Sequence, residues 1–215
     1  MIDLEAEYNN RARVPDHEQV VAGWTSDAAS YREAAACDLD IAYGDDERQK
    51  FDFFPANGRD DAPIVVFVHG GYWQALDRVS FSHVASGVSV HGLDMAIPSY
   101  RLAPQVSVQH IIDDMRSFCL SLWKLHGRKL VVTGHSAGGH LATRMICDDS
   151  PLTEQTLVRI EKVQSISGLH DLRPLMHTKM NDTLHIDEDE ARQESPVLHR
   201  PALVVPYTCW VGGGE

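Results

Sequence analysis

One serine stands between two glycines at the end of a run rich in β-branched residues. Residues 131–138 read VVTGHSAG, which contains the spacing G-x-S-x-G around Ser136. Where a strand turns directly into a helix, the bend is so tight that small residues must flank the serine on both sides. The hydroxyl then lies at a helix N-terminus, where the helix dipole favours a developing negative charge. Ser136 is therefore a candidate nucleophile, and the alternative is a glycine-rich turn with an incidental serine.

A second segment of small residues follows the apolar run IVVFV. It begins at residue 69 and reads HGGYW. Acyl transfer needs backbone N–H donors aimed at the oxyanion of the tetrahedral intermediate, and small residues allow the backbone to come close to it. We expect Gly70 and Gly71 to provide one donor and the amide of Ala137 to provide the other. The two segments together predict an oxyanion hole.

Four side chains beside these two segments are predicted to line a substrate pocket. They are His69, Tyr72, Trp73 and His135. For His69 we favour a structural role, in which its hydrogen bonds hold the loop, over a catalytic one. Aromatic residues are more often part of a core than of a site, but next to an oxyanion hole an aromatic wall is a reasonable interpretation of Tyr72 and Trp73.

Composition and charge narrow the class of protein. A hydrophobic share of 43% and a charged share of 23% are typical of a soluble globular domain. The 31 acidic and 19 basic residues give a net charge of −12, which would repel a nucleic-acid backbone. No run approaches the ~20 apolar residues of a membrane span, and the acidic start lacks the features of a secretory signal. We therefore expect a cytoplasmic protein that binds neither nucleic acid nor membranes.

The cysteines support the same compartment. They are widely spaced and form neither a C-x-x-C pair nor a zinc-binding pattern. We expect reduced, mostly buried thiols at Cys37, Cys119, Cys147 and Cys209.

The order of predicted strands and helices indicates the fold class. Strands are predicted at LDIAYG, QKFDFFP, APIVVFV, LDMAIPSY, KLVVTGHS, EKVQSISG and YTCWVGGG, with helices at VSVQHIIDDMRSFCLSLWKLHG and AGGHLATRMICDD. The first two strands are expected to form an antiparallel hairpin. The continuous apolar run IVVFV is typical of a strand buried on both faces. Alternating strands and helices predict a doubly wound α/β fold, mostly parallel, with helices on both faces of the sheet.

The chain divides into two parts on this interpretation. Residues 1–36 are a helical N-terminal lead-in, in which Thr25 or Ser26 could be an N-cap. Residues 37–215 form the α/β domain. Within it, residues 169–205 are a polar insert punctuated by proline, which we expect to cap the site because it follows the carboxyl end of a strand.

Three motifs together carry a family resemblance. HGGYW, PSYRLAP at residues 98–104, and GHSAGGHLA at residues 134–142 resemble the α/β-hydrolase superfamily, in the branch of small carboxylesterases and kynurenine formamidases (arylformamidases). The resemblance covers roughly residues 40–215. It implies a Ser-His-acid hydrolase without metal or cofactor, which cleaves an aryl formamide such as N-formylkynurenine, or a small ester, through an acyl-enzyme. A general short-chain carboxylesterase and a non-catalytic binding protein are the alternatives, and a homodimer is left open.

The resemblance also indicates where the partners of the serine should lie. In similar enzymes the acid follows the strand that corresponds to YTCWVGG, and Glu215 occupies that place; a frayed terminal carboxylate is the alternative. Asp171 is a second candidate, although such a residue more often caps a helix. The acidic run at residues 187–190 is expected to be a solvated helical face, because no histidine pair accompanies it.

The histidine of the family lies beyond the acid, and all twelve histidines here precede Glu215. We do not expect the base among the histidines closest to the motifs and in the insert, which are His135, His140, His170, His177, His185 and His199. The sequence is instead expected to lack the last strand and helix of the fold together with the base. A natural pseudoenzyme is the alternative.

Overall fold

The structure is a computed structural model that describes residues 2–213. Its strands are β1 (Asp38–Ala42), β2 (Lys50–Phe54), β3 (Ile64–Val68), β4 (Met95–Pro98), β5 (Leu130–His135), β6 (Ile160–Ile166) and β7 (Tyr207–Trp210). Its helices are α1 (Leu4–Tyr8), α2 (Asn10–Arg13), α3 (His17–Ala34), α4 (Ala85–Ser89), α5 (Val108–His126), α6 (Ala137–Arg144), α7 (Glu154–Leu157), α8 (Asn181–Leu184) and α9 (Glu188–Gln193). Short 3₁₀ helices cover Arg173–His177 and Pro196–Leu198, and a longer one, Arg78–Val84, leads into α4.

The strands form one sheet in the order β1-β2-β4-β3-β5-β6-β7. β1 and β2 pair antiparallel, as the hairpin pattern predicts, and β2 also pairs antiparallel with β4. All pairs from β4 to β7 are parallel. Every residue of β3 is buried, because this central strand is covered on both faces. The mostly parallel α/β fold expected from the alternation of elements is confirmed.

Two apolar layers flank the sheet, and successive side chains of β3 point alternately into one layer and the other. Ile64, Val66 and Val68 contact the core that includes the buried face of α5. Val65 and Phe67 point to the other face, where they join the cluster formed by α4, the 3₁₀ helix before it and the aromatic residues of α3. The helices therefore lie on both faces and hold the carboxyl ends of β3 and β5 side by side.

The N-terminal helices differ in detail from the expectation. α3 begins at His17, so Thr25 and Ser26 lie inside the helix and the predicted N-cap is wrong. The Thr25 hydroxyl instead donates a hydrogen bond to the carbonyl of Val21 one turn earlier. Gly23 lies within α3 without interrupting it, and the helix continues through Thr25.

Other local boundaries also differ. α6 ends at Arg144, five residues before the predicted end. Cys119 and Cys147 are buried as expected, but Cys37 is half-buried and Cys209 is exposed, because β7 lies at an edge of the sheet described here.

None of the helices within residues 2–213 combines the length and the hydropathy that spanning a bilayer requires.

Candidate active site

Ser136 lies at the turn between β5 and α6 with a positive φ of 56° and a ψ of −120°. Non-glycine residues rarely adopt this conformation. The turn is held from both sides, since the Ser136 N–H donates to the carbonyl of Ile166 at 2.8 Å and its carbonyl accepts from the N–H of His140 at 3.1 Å. The Ser136 side chain makes no capping hydrogen bond to α6. Its half-buried hydroxyl is therefore presented at the carboxyl edge of the sheet.

The glycines on both sides of Ser136 are required by close backbone contacts. A Cβ atom on Gly134 would lie 2.2 Å from the carbonyl oxygen of Gly138. A Cβ atom on Gly138 would lie 2.0 Å from the carbonyl oxygen of Val68. Both distances are far inside van der Waals contact, so any side chain would displace the backbone. The G-x-S-x-G spacing thus reflects the packing of α6 against the end of β3.

The HGG segment lies directly beside Ser136. A Cβ atom on Gly70 would stand 3.1 Å from the Cβ of Ser136. Gly71 has a φ of +106°, and a Cβ there would lie 2.2 Å from the carbonyl oxygen of Ala75. Ala137 is the first residue of α6. The structure therefore places Gly70 against Ser136, with Gly71 next to Gly70 and Ala137 next to Ser136 in the chain.

His69 anchors the loop from inside the core. Its side chain is 0% exposed, its Nδ1 donates to the carbonyl of Gly70 at 2.7 Å, and its ring stacks on Tyr100 at a centroid distance of 4.3 Å. The Tyr100 hydroxyl in turn donates to the carbonyl of His69 at 2.9 Å. Burial lowers the pKa of His69 to about 4, so the imidazole is neutral at pH 7. Its predicted place in a pocket wall is wrong, because the ring is enclosed between other aromatic residues.

Trp73 is also a core residue and not the pocket wall that its position predicted. Its indole is 0% exposed and meets the ring of His140 edge-on at 5.0 Å. His140 is equally buried, and its Nε2 donates to the carbonyl of Glu194 at 2.7 Å. Burial lowers the pKa of His140 to about 3. Of the four predicted pocket residues, Tyr72 and His135 remain half-buried.

The loop after β6 holds the other acid–base candidates. His170 lies 3.1 Å from the Ser165 hydroxyl through its Nε2, and burial lowers its pKa. Asp171 forms a two-oxygen ion pair with Arg173 and accepts its backbone N–H at 3.1 Å. This hydrogen-bonded pair keeps the pKa of Asp171 below its usual value. Asp171 thus stabilises the turn before the 3₁₀ helix, but Leu172 is the N-cap of that helix and no side chain caps it, so the capping alternative is wrong. Glu215 lies outside the described residues.

Metal-ligating side chains meet at one place in residues 2–213, away from the two motifs. The ligand atoms of Asp148, Asp149 and His199 lie within 4.8 Å of one another. Asp149 is already paired through both oxygens with the guanidinium of Arg144. The three side chains therefore belong to an ion-pair network. The acidic run at residues 187–190 begins α9, as expected, with Asp187 as its N-cap.

The sequence patterns did not predict one contact of the loop after β3. The Tyr72 hydroxyl donates to the carbonyl of Tyr8 in α1 at 2.9 Å. α1 is five residues long, has no fully buried residue and shows no apolar stripe, so its pattern carries no signal for this position.

A mostly parallel sheet with a strained serine after β5 and a glycine loop after β3 defines an α/β-hydrolase. Residues 52–200 match the BD-FAE family. The chain belongs to this family, within the kynurenine formamidase-like branch of the α/β-hydrolases.

Individual relatives agree with this placement. The chain is 30% identical to a kynurenine formamidase of Danio rerio over 161 residues, which are 74% of this chain and 55% of the relative. A crystal structure of a candidate thioesterase from a Silicibacter species is 37% identical, with a TM-score of 0.93 over 100% of this chain and 82% of that one. Esterase B of Lactobacillus rhamnosis shares the fold, with 21% identity and a TM-score of 0.68 over 97% and 75% of the two chains. The chain spans about half the length of the curated relatives it matches.

Proposed function

We propose that this protein is a serine hydrolase that cleaves an aryl formamide, such as N-formylkynurenine, or a small carboxylic ester. The observation that carries the proposal is the strained backbone of Ser136 at the β5–α6 turn, with Gly70 against its Cβ. Relatives named kynurenine formamidase and esterase support the two substrate classes.

The geometry supports a two-step acyl transfer. The Ser136 oxygen attacks the carbonyl carbon, and the carbonyl π electrons move onto the oxygen. We expect the amides of Gly71 and Ala137 to donate to that oxyanion. When the tetrahedral intermediate collapses, the bond to the arylamine or alcohol breaks and that leaving group takes a proton. Water then attacks the acyl-enzyme in the same way, which releases formate or another carboxylate and restores the serine hydroxyl.

The base that accepts the Ser136 proton must have a pKa near neutrality. His69 and His140 do not meet this condition, because burial holds their pKa values near 4 and 3. Their contacts fit a different role, which is to hold the oxyanion loop and α6. We propose that Glu215 orients the histidine that serves as the base.

Kinetics of the full gene product test the proposal. We expect hydrolysis of N-formylkynurenine and p-nitrophenyl acetate, and poor hydrolysis of long-chain triglycerides. Ser136→Ala should lower kcat on the order of 10⁴-fold or more, because the nucleophile and its base act as a unit. Ser86→Ala, at an exposed serine of α4, is the matched control and should leave kcat unchanged.

Two results would contradict the proposal. A Ser136→Ala variant with wild-type kcat would remove the nucleophile assignment. A gene product that binds N-formylkynurenine with no turnover of any ester or formamide would favour the non-catalytic alternative. Fast turnover of p-nitrophenyl acetate without turnover of N-formylkynurenine would favour the short-chain carboxylesterase.

A further inference from the structure

The position of α1 follows from the order of the strands. β5 lies between β3 and β6 in the sheet, so Ser136 at its carboxyl end lies between the loop after β3 and the loop after β6. Tyr72 belongs to the first of these loops and Asp171 to the second. A segment that contacts both loops must therefore pass over the end of β5.

Tyr8 of α1 contacts the loop after β3, and α1 as a whole packs against the 3₁₀ helix Arg173–His177 that follows β6. The Tyr8 carbonyl accepts the hydroxyl of Tyr72 at 2.9 Å. Burial and then the negative charge of Asp171 raise the pKa of Tyr8. The half-buried Tyr8 ring packs against the same apolar cluster as Tyr72.

Two neighbours of Tyr8 attach α1 to the insert. The Glu5 carboxylate accepts the backbone N–H of Lys179 at 2.9 Å. Leu4 lines a cavity of about 450 Å³ together with Asp171, Arg173 and Met176. α1 is thus held both at the loop after β3 and at the insert that follows β6, although it has no fully buried residue.

We infer that α1 forms a roof over Ser136 and that Tyr8 is a specificity-determining wall of the substrate pocket, which admits a small acyl group on a flat aryl leaving group. The size limit follows from the half-buried tyrosine ring, which packs against the same apolar cluster as Tyr72. The preference for an aryl group follows from the favourable packing of flat rings against tyrosine. The specificity role of Tyr8 rests on the proposed function, whereas the position of α1 over Ser136 does not.

Chemical labelling at position 136 tests the roof without any need for catalysis. The Ser136→Cys variant is treated with N-ethylmaleimide or with the much bulkier fluorescein maleimide. Peptide mass spectrometry then measures the rate at which each reagent modifies the cysteine at position 136. Tyr8→Ala should raise the rate with the bulky reagent about 10-fold or more, since local opening of weakly packed segments needs little free energy. The rate with the small reagent should change less than about threefold.

Matched variants keep this experiment falsifiable. Glu7→Ala changes an exposed residue of the same helix and should leave both rates unchanged. Tyr72→Phe removes only the hydroxyl that binds the Tyr8 carbonyl, and should raise the rate of modification by fluorescein maleimide severalfold. Cys119 is buried, so its rate of modification, measured in the same digest, reports global unfolding. Equal effects of Tyr8→Ala and Glu7→Ala, no effect of Tyr8→Ala, or a parallel rise at Cys119 would each overturn the roof.

Substrate selectivity separates this inference from the proposed function. In the full gene product, Tyr8→Ala should shift the ratio of kcat/KM for p-nitrophenyl octanoate over p-nitrophenyl acetate about 10-fold upward, as the loss of one packed ring predicts. An unchanged ratio in an active enzyme would refute the specificity role alone. Absence of hydrolysis by the wild type would refute the proposed function, and the labelling rates would still decide on the roof.

Discussion

At the scale of single residues, the backbone around Ser136 leaves no room for side chains at the flanking glycines. The carbonyl oxygen of Val68 lies only 2.0 Å from where the Cβ of any residue at position 138 would be. A methyl group there must push α6 away from β3, and this would move the Ser136 hydroxyl relative to Gly70. Stability and activity are therefore linked at this position.

Gly138→Ala should lower the free energy of unfolding by about 3 kcal/mol or more, because the added methyl group meets rigid backbone. We also expect kcat/KM for p-nitrophenyl acetate to fall about 100-fold, since small misplacements of reacting groups are costly. Gly87→Ala is the control, because a Cβ on this glycine of α4 meets nothing within 4 Å. Urea unfolding and steady-state kinetics measure both effects, and a Gly138→Ala protein as stable as Gly87→Ala would contradict the packing described here.

At the scale of elements, a buried ion network fastens α3 to the sheet. Asp52 of β2 is 0% exposed and pairs with Arg32 of α3 and with the Nε of Arg78 at 3.1 Å. Arg78 also pairs with Asp40 of β1. The network joins one helix, two strands and the 3₁₀ helix before α4. Asp52, Arg32 and Arg78 have little access to water, whereas Asp40 is 64% exposed.

Asp52→Asn should destabilise the protein by about 3–5 kcal/mol, because it leaves two guanidinium groups without their shared counter-ion. Asp61→Asn removes a carboxylate from the pair Arg59–Asp61, whose side chains are 81% and 82% exposed. That surface pair should contribute less than about 1 kcal/mol. Thermal or urea unfolding of both variants measures the contrast, and similar losses in the two would show that the buried network is not what holds α3.

At the scale of the whole molecule, buried neutral histidines make stability depend on pH. His69 and His140 have folded-state pKa values of about 4 and about 3, against 6.5 when unfolded. Below pH 6.5 the unfolded chain therefore binds protons that the folded chain does not. Stability is fully present above pH 6.5 and is lost as the pH falls toward the folded-state values.

We expect the free energy of unfolding to fall on the order of 3 kcal/mol per buried histidine between pH 6.5 and pH 4. His69→Asn and His140→Gln keep a donor at the hydrogen-bonded nitrogen and should each flatten this slope. His91→Asn changes an exposed histidine and should leave the slope as it is. Urea unfolding at several pH values gives the slopes, and parallel curves for all variants would contradict the burial of His69 and His140 as its cause.

The sequence by itself determined the features that depend on near neighbours in the chain. The G-x-S-x-G turn, the buried strand IVVFV, the amphipathic α5 and the hairpin of β1 and β2 are all predicted from local patterns, because side-chain periodicity and backbone sterics act over a few residues. These patterns were sufficient for the fold class and for the place of Ser136 at a strand-to-helix turn beside Gly70.

Only the tertiary structure decided which of the neighbouring side chains face a pocket and which face the core. His69 is enclosed by Tyr100 and Phe81, and Trp73 by His140, which are distant in sequence. Tyr72 and Tyr8 are 64 residues apart, and their hydrogen bond depends on how α1 meets the loop after β3. Contacts of this kind follow from the packing of whole elements around the sheet, so the position of α1 over Ser136 leaves no trace in the local pattern of its five residues.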